Sequence, residues 1–236
     1  MNSIPKIFYQ SWDSELPSFI LKKNLSHIPT DIEYKLFSIT EMQNYLEKNW
    51  GTKFVELFKS YEKIAHKVDL WRYCILYQKG GIYMDADSIL LNDIDFMISN
   101  YQMVFVTNNR GVKDIFNGFL MTVPKNPIFK KIIKFMLKTG TNFNDDYYFN
   151  CKKLYTIVDK YININLSQHV YNKKIKNIDY NILLLIDKCT TIVNINEKWN
   201  EYNKYCAFYN NTKILIECNS FYPYNIVHSS NFKMLQ

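Results

Sequence analysis

Residues 60–87 read Ser60-Tyr61-Glu62-Lys63-Ile64-Ala65-His66-Lys67-Val68-Asp69-Leu70-Trp71-Arg72-Tyr73-Cys74-Ile75-Leu76-Tyr77-Gln78-Lys79-Gly80-Gly81-Ile82-Tyr83-Met84-Asp85-Ala86-Asp87, and this stretch decides the fold class. Ile64, Val68, Trp71, Ile75 and Leu76 recur at the spacing of one helical face, which predicts a helix over 60–79. Gly80-Gly81 then stops it, because glycine tolerates the left-handed geometry of a helix C-terminus. Ile82-Tyr83-Met84 follows as a short strand, and Asp85-Ala86-Asp87 leads to a second apolar run, Ile89-Leu90-Leu91. Helix, tight glycine joint and buried strand in succession are the grammar of an α/β sheet.

The flanks extend the same alternation. Pro5 to Trp12 reads as a first strand, Leu16 to Leu25 as a short helix and Glu33 to Ser38 as a second strand. Thr40 with Gln43 has the form of a capping box and predicts the next helix start. Tyr101 to Thr107 and Gly118 to Val123 are further strands, and Pro127 opens a helix carried by 128–137. Beyond Asn142 the pattern weakens to a helix over 147–161 and short strands near 176–180 and 191–195. With 236 residues the expectation is one domain over 1–236, α/β, with a less regular part from about 142.

Composition excludes more than it identifies. Apolar residues at 47% and charged residues at 22% exclude a wholly disordered chain. The five cysteines (Cys74, Cys151, Cys189, Cys206, Cys218) form no C-x-x-C pair, which argues against a disulfide framework and a zinc site. Ile182 to Ile186, the longest aliphatic run, is too short to cross a bilayer, and no signal-peptide pattern opens the chain. The expected setting is therefore cytoplasmic, or peripheral at a membrane. A net charge of +7 favours anionic partners, yet no Lys/Arg run resembles a nucleic-acid arm.

Asp85 and Asp87 are the leading candidates for chemistry. On a strand, residues two apart face the same side, so both carboxylates would reach one hard divalent cation while Ala86 faces the core. With 13 Asp in the chain about one such pair is expected by chance. Asp93-Ile94-Asp95 is indeed a second, and it reads better as polar capping of a helix. Context separates them. The first pair follows the glycine joint, and Asp69 and Arg72 lie at i,i+3 on the helix before it.

The run Asp69-Leu70-Trp71-Arg72-Tyr73, then Gly80-Gly81-Ile82-Tyr83, then Asp85-Ala86-Asp87 resembles the signature of the DXD-motif glycosyltransferases. That group includes fungal initiating and sphingolipid mannosyltransferases, bacterial capsule enzymes and the glucosylating domains of large clostridial toxins. Weaker echoes are Ile4-Pro5-Lys6-Ile7-Phe8-Tyr9-Gln10-Ser11-Trp12, Asn117-Gly118-Phe119, and Phe221-Tyr222-Pro223 followed by Val227-His228-Ser229. The resemblance implies a GT-A fold, a Rossmann-like mixed sheet with flanking helices that binds a nucleotide sugar. It further implies a retaining reaction, a UDP- or GDP-sugar donor, Mn²⁺ or Mg²⁺, and a glycan, lipid or protein hydroxyl as acceptor.

Position by position, it implies that Asp85 and Asp87 hold the metal with His228 as a third ligand or phosphate contact. Asp69 and Arg72 would grip the donor sugar and Trp12 would stack on the base. Tyr83 and Ala86 would line the donor pocket, and Asn117 and Gly118 would lie beside the transferred sugar. No candidate for a covalent carboxylate nucleophile stands out, which favours departure and attack on one face of the sugar. The sequence departs from the pattern at Tyr9, where His is common, at Thr141, where Pro is usual, and after His228, which lacks the following S-W. Two other readings remain. One is a non-catalytic nucleotide-sugar or glycan-binding protein. The other is a haloacid-dehalogenase-like phosphatase, with Asp85-Ala86-Asp87-Ser88 as nucleophile loop and Asp145-Asp146 as its acidic pair.

Overall fold

A computed structural model describes residues 3–13, 16, 21–22, 25–26, 28–86, 88–90, 94–108, 111–142, 146–189, 205–209 and 212–217. The predicted helix over 16–25 and the predicted strand over 191–195 fall largely or wholly outside these. Among the described residues the strands are β1 (Ile7–Ser11), β2 (Glu33–Phe37), β3 (Gly81–Met84), β4 (Ser88–Leu90), β5 (Met103–Asn108), β6 (Phe119–Thr122), β7 (Val170–Ile175), β8 (Ile178–Cys189), β9 (Tyr205–Tyr209) and β10 (Thr212–Glu217). The helices are α1 (Ile39–Trp50), α2 (Thr52–Ser60), α3 (Ile64–Lys79), α4 (Asp95–Asn100), α5 (Pro127–Thr139) and α6 (Phe149–Ile162).

These strands form one mixed sheet in the order β2-β1-β3-β6-β5-β8-β9-β10-β4, with β7 also paired to β8. β1 runs parallel to β2 and β3, β6 is antiparallel to both β3 and β5, and β5 is parallel to β8. The carboxyl ends of β1, β3, β5 and β8 therefore all emerge on one edge, where open α/β sheets bind their ligands. Every residue of β3 is buried, as is every residue over 182–187 of β8. Such continuous burial is what strands covered on both faces require. The aliphatic run Ile182 to Ile186 is thus the centre of the sheet.

α3 is not the one-faced helix its spacing predicts. His66 and every residue from Val68 to Leu76 are buried, because α1, α2 and α5 pack around it while it also lies on β3 and β6. Ile64, counted among the apolar positions, is instead exposed. The helix begins at Ile64 rather than Ser60, since α2 occupies the chain up to Ser60. Its stop is as expected. Gly80 has φ 67° and its N–H donates to the Leu76 carbonyl at 2.8 Å.

Three local expectations are corrected. The capping box of α1 is Ser38 with Glu41, not Thr40 with Gln43. The Ser38 N–H donates to Glu41 Oε2 at 2.8 Å and the Glu41 N–H to Ser38 Oγ at 3.3 Å. Ile94, not an aspartate, precedes α4 without a side-chain cap, and Asp95 in the first turn instead pairs with Lys6 at 3.0 Å. Asp93 lies outside the described residues. Of the strand expected near 176–180, residues 178–180 begin β8, while Lys176 and Asn177 form the corner of the β7–β8 hairpin with φ 51° and 63°. Positive φ at both central residues is the mark of a two-residue type I′ turn, usually announced by Asn-Gly.

Candidate functional site

The carboxyl ends of the parallel strands deliver Trp12 after β1, Asp85 after β3, Asn108 at the end of β5 and Asp187 near the end of β8. Two cavities open there. The larger, about 780 Å³, is lined by Ser11, Trp12, Ile64, Val68, Asp85 and Ala86 among others. The smaller, about 210 Å³, is lined by Asp69, Arg72, Asp85, Asn117, Gly118 and Asp187 among others. Ala65, Asp85 and Tyr147 belong to both, so the Asp85 carboxylate marks the junction.

The chain turns immediately after β3. The Ser88 N–H donates to the Asp85 carbonyl at 3.1 Å, and the Asp85 N–H donates to the Gly118 carbonyl at 2.8 Å. Asp85 and Ala86 thus lie on a turn past the end of β3 rather than on the strand itself. Asp87 and His228 both lie outside the described residues. Gln10 Nε2 donates to the Asp85 carbonyl at 3.3 Å, and Gln10 is itself held by the Tyr34 hydroxyl at 2.9 Å. The Tyr83 hydroxyl donates to Asp85 Oδ1 at 2.6 Å and lies 3.0 Å from Ser11 Oγ. Gly118 leaves the room this needs, since a Cβ there would stand 2.6 Å from Asp85 Oδ2 and 2.1 Å from Phe116 Cζ.

Asp69 and Arg72, which as a bare i,i+3 pair would read as a surface contact, are both buried at 5% exposure. Arg72 is the hub. Its Nη1 donates to the Asn117 carbonyl at 2.5 Å, its Nη2 lies 3.3 Å from Asp85 Oδ1, and its Nε lies 3.6 Å from Asp69 Oδ1. The guanidinium also covers the Tyr83 ring at 4.1 Å. Burial works against its charge, but Tyr83, Asp85 and Asp69 outweigh that and hold its pKa above the ordinary value. Burial raises the Asp69 pKa, opposed by Arg72 and by hydrogen bonds from Asn150 and Asn117. Burial likewise pushes the Tyr83 hydroxyl well up, so it stays protonated and able to donate to Asp85.

Asn150 is a member that no sequence signal marked. Its Nδ2 donates to Asp69 Oδ2 at 2.9 Å, while Asn117 Nδ2 donates to Asp69 Oδ1 at 2.9 Å. Both oxygens of Asp69 are thereby oriented from outside its own helix. Asn117 Oδ1 is buried in the wall of the smaller cavity with no hydrogen-bond partner. A ligand hydroxyl would satisfy it, and a buried acceptor otherwise carries a desolvation cost. Asp114 and Asp187 add carboxylates to this cavity.

The donor chemistry at the junction suits a hard divalent cation. The Asp85 side chain is 32% exposed, and it offers carboxylate oxygen where both cavities meet. Among the described residues no three His, Cys, Asp or Glu side chains form a metal cluster. One or two carboxylates with phosphate oxygens are a usual Mg²⁺ set, so the residues present fit.

His66 contacts this network from behind, its Nδ1 3.4 Å from Asn150 Nδ2. Burial and then Lys63 lower its pKa below 6.5, with Asp146 opposing. Between the lowered native value and 6.5 the unfolded chain binds more protons, so stability should fall as pH drops through that window. His66→Gln is expected to remove this part of the slope in urea midpoints taken between pH 5 and pH 7.5. An unchanged slope would show that His66 is not the group responsible.

Residues 4–104 match the family described as glycosyltransferase sugar-binding region containing DXD motif. A protein of Acanthamoeba polyphaga mimivirus named as an uncharacterized glycosyltransferase is 28% identical over 139 residues, 56% of this chain and 55% of that one. A mannosyl phosphorylinositol ceramide synthase of Saccharomyces cerevisiae is 31% identical over 133 residues, 56% of this chain and 35% of that one. The initiation-specific α-1,6-mannosyltransferase of Candida albicans is 29% identical over 115 residues, 45% and 30% of the two chains. The matches span about half or less of these relatives' lengths. The PaToxG glycosyltransferase structure superimposes with a TM-score of 0.55 at 12% identity, covering 67% of this chain and 70% of that one, which shows a shared fold. The match over residues 4–104 takes in the Asp69–Arg72 pair and the Asp85 turn, so the part of the chain similar to that family is the part that builds the site.

Proposed function

We propose that this chain is a metal-dependent retaining glycosyltransferase that moves a hexose from a UDP- or GDP-sugar to a hydroxyl acceptor. One observation carries the reading: Asp85 stands where a large cavity under Trp12 meets a small polar one lined by Asp69, Asn117 and Gly118. A nucleotide sugar has this shape, with a flat base at one end, a pyranose at the other and the diphosphate between. The base would lie against Trp12 and the sugar against Asn117 Oδ1 and the oriented Asp69 carboxylate. Asp85 and Asp87, with His228, would hold Mn²⁺ or Mg²⁺ at the diphosphate. The bound cation would supply Lewis-acid neutralisation of charge growing on the leaving group.

The remaining work falls to the chain. Tyr83 and Arg72 fix the Asp85 carboxylate, and Asn117 and Asn150 fix Asp69, so both anions are oriented before substrate arrives. Arg72 acts here as a positioning residue, because its nitrogens already face Asp69, Asp85 and the Asn117 carbonyl. The whole of 1–236 is taken as one catalytic domain. No helix among the described residues is long and apolar enough to cross a membrane. The net charge of +7 suits an anionic donor and contact with an acidic membrane surface. A phosphatase reading fares worse. Asp146, the described half of its acidic pair, is spent on Lys152 at 2.9 Å and on the Tyr148 N–H at 3.0 Å.

The test is nucleotide release from a panel of UDP- and GDP-sugars with Mn²⁺ and with chelator. Metal-dependent release from at least one donor is expected, falling at least about 100-fold in Asp87→Ala. Release that survives the chelator, or that variant, would overturn the role given to the acidic pair. Sugar binding without release would favour the non-catalytic reading.

A further inference from the structure

Tyr147 and Tyr148 are both more than half exposed, at 54% and 55%, yet both line the smaller cavity. Large exposed aromatics at the rim of a polar cavity mark a contact surface. Tyr147 also lines the larger cavity, whereas Tyr148 is absent from its wall. Their rings meet edge to face, 5.1 Å apart at 78°. The turn beneath them is tied by Asp146. Asp146 Oδ1 accepts from the Tyr148 N–H at 3.0 Å, Asp146 Oδ2 from Lys152 at 2.9 Å, and the Phe149 N–H donates to the Asp146 carbonyl at 3.2 Å. A platform held this way needs little ordering when it binds.

We propose that Tyr148, braced by Tyr147, is the stacking platform for a neutral pyranose of the acceptor, so that the acceptor is a glycan. This rests on the donor reading above. The opposing groups of the same cavity choose the occupant. Asn108, Asp114 and Asp187 line it with amide and carboxylate groups, Asn108 Nδ2 donating to Asp114 Oδ1. A pyranose has an apolar C–H face for an aromatic ring and a rim of hydroxyls for carboxylates and amides, which matches this pairing. An acyl chain would strip water from Asp114 and Asp187 and give nothing back. An anionic acceptor would face two like charges. The acceptor hydroxyl attacks the donor's anomeric carbon, the glycosyl–phosphate bond breaks, the nucleotide leaves with the electron pair, and the hydroxyl proton passes to the departing phosphate.

The test uses the full chain, Mn²⁺ and the active donor, with methyl glycosides of glucose, galactose and mannose, a Ser/Thr peptide, and phosphatidylinositol vesicles as acceptor probes. At least one methyl pyranoside is expected to accept labelled sugar. In Tyr148→Ala its KM should rise tenfold or more, a larger rise than that of the donor KM, and Tyr148→Trp should restore it to within threefold. Equal rises in both KM values, or transfer to peptide or vesicles with none to any pyranoside, would overturn the proposal. Saturation-transfer NMR of the pyranosides in the presence of UDP or GDP reads the contact without turnover. A signal lost in Tyr148→Ala supports the platform, and no signal from any pyranoside overturns it. If no donor releases nucleotide, the enzymatic reading fails, and this NMR contact still judges the platform separately.

Discussion

Arg72→Ala is expected to lower folding stability by about 3–5 kcal/mol and to take sugar transfer below detection, with Arg72→Lys recovering little of either. The side chain is 5% exposed and faces two carboxylates and a main-chain carbonyl at once. A lysine ammonium is a point charge. It cannot serve Asn117, Asp85 and Asp69 from the separate corners of a planar fork, nor cover the Tyr83 ring as a plane. Deleting the cation leaves Asp69 buried and uncompensated, and it leaves Asp85 held by Tyr83 without its charge partner. The first outcome costs stability and the second costs geometry at the junction of the cavities.

The loss should depend on pH in a defined direction. Burial already holds the Asp69 pKa above the ordinary carboxylate value of 3.8, and Arg72 is the strongest opposing influence. Without Arg72 it rises further, so above 3.8 the native variant binds more protons than its unfolded chain. Stability of the variant relative to the parent chain therefore declines as pH rises above the parent's own raised Asp69 value. Urea midpoints at pH 5 and pH 8 check it. A shift of about 1 M or more is expected, larger at pH 8. A midpoint that barely moves would mean that Arg72 is not the hub.

What the sequence made legible is what depends on neighbours along the chain. A helix closed by Gly80-Gly81 and followed by an apolar strand needs only local geometry, so α3, its stop and β3 follow from residues 64–84. Asp69, Arg72, Asp85, Asn117 and Gly118 were all expected near the donor, and the fold does bring them together. The i,i+2 argument for Asp85 and Asp87 assumed strand, whereas β3 ends at Met84 and the bond from the Ser88 N–H to the Asp85 carbonyl makes a turn that no alternation pattern encodes. Asn150 was beyond reach for the same kind of reason. It approaches Asp69 from 81 positions away, and one asparagine among 27 has no local signature. Asp187 ends a run that hydropathy could only label aliphatic, since its pairing with β5 is what places it beside Asn108. The β7–β8 corner misled because Ile175 and Ile178 flank it, while Lys176-Asn177 lacks the glycine that usually marks such a turn.

Gly81→Ala is expected to be strongly damaging, because two independent penalties fall on one methyl group. Its φ of 106° is a backbone state that a residue with a Cβ holds only under strain, about 1–3 kcal/mol. The added Cβ would also stand 2.7 Å from the Ile7 carbonyl oxygen and 3.0 Å from Tyr9 Cε2. The carbonyl cannot move aside cheaply. β1 is pinned between β2 and β3, with Tyr9 opposite both Lys35 and Tyr83. Either β3 withdraws from β1, which drags Tyr83 and Asp85 off the site, or the helix stop at Gly80 is lost. Gly140→Ala separates the two penalties. Gly140 has φ 62° but nothing within 4 Å of its would-be Cβ, so strain alone should cost it about 1 kcal/mol. A loss of roughly 3 kcal/mol or more at Gly81 would lower Tm by about 6–12 °C in a chain of this size. Equal Tm losses in the two variants would show that the approach of β3 to β1 is not what demands a glycine there.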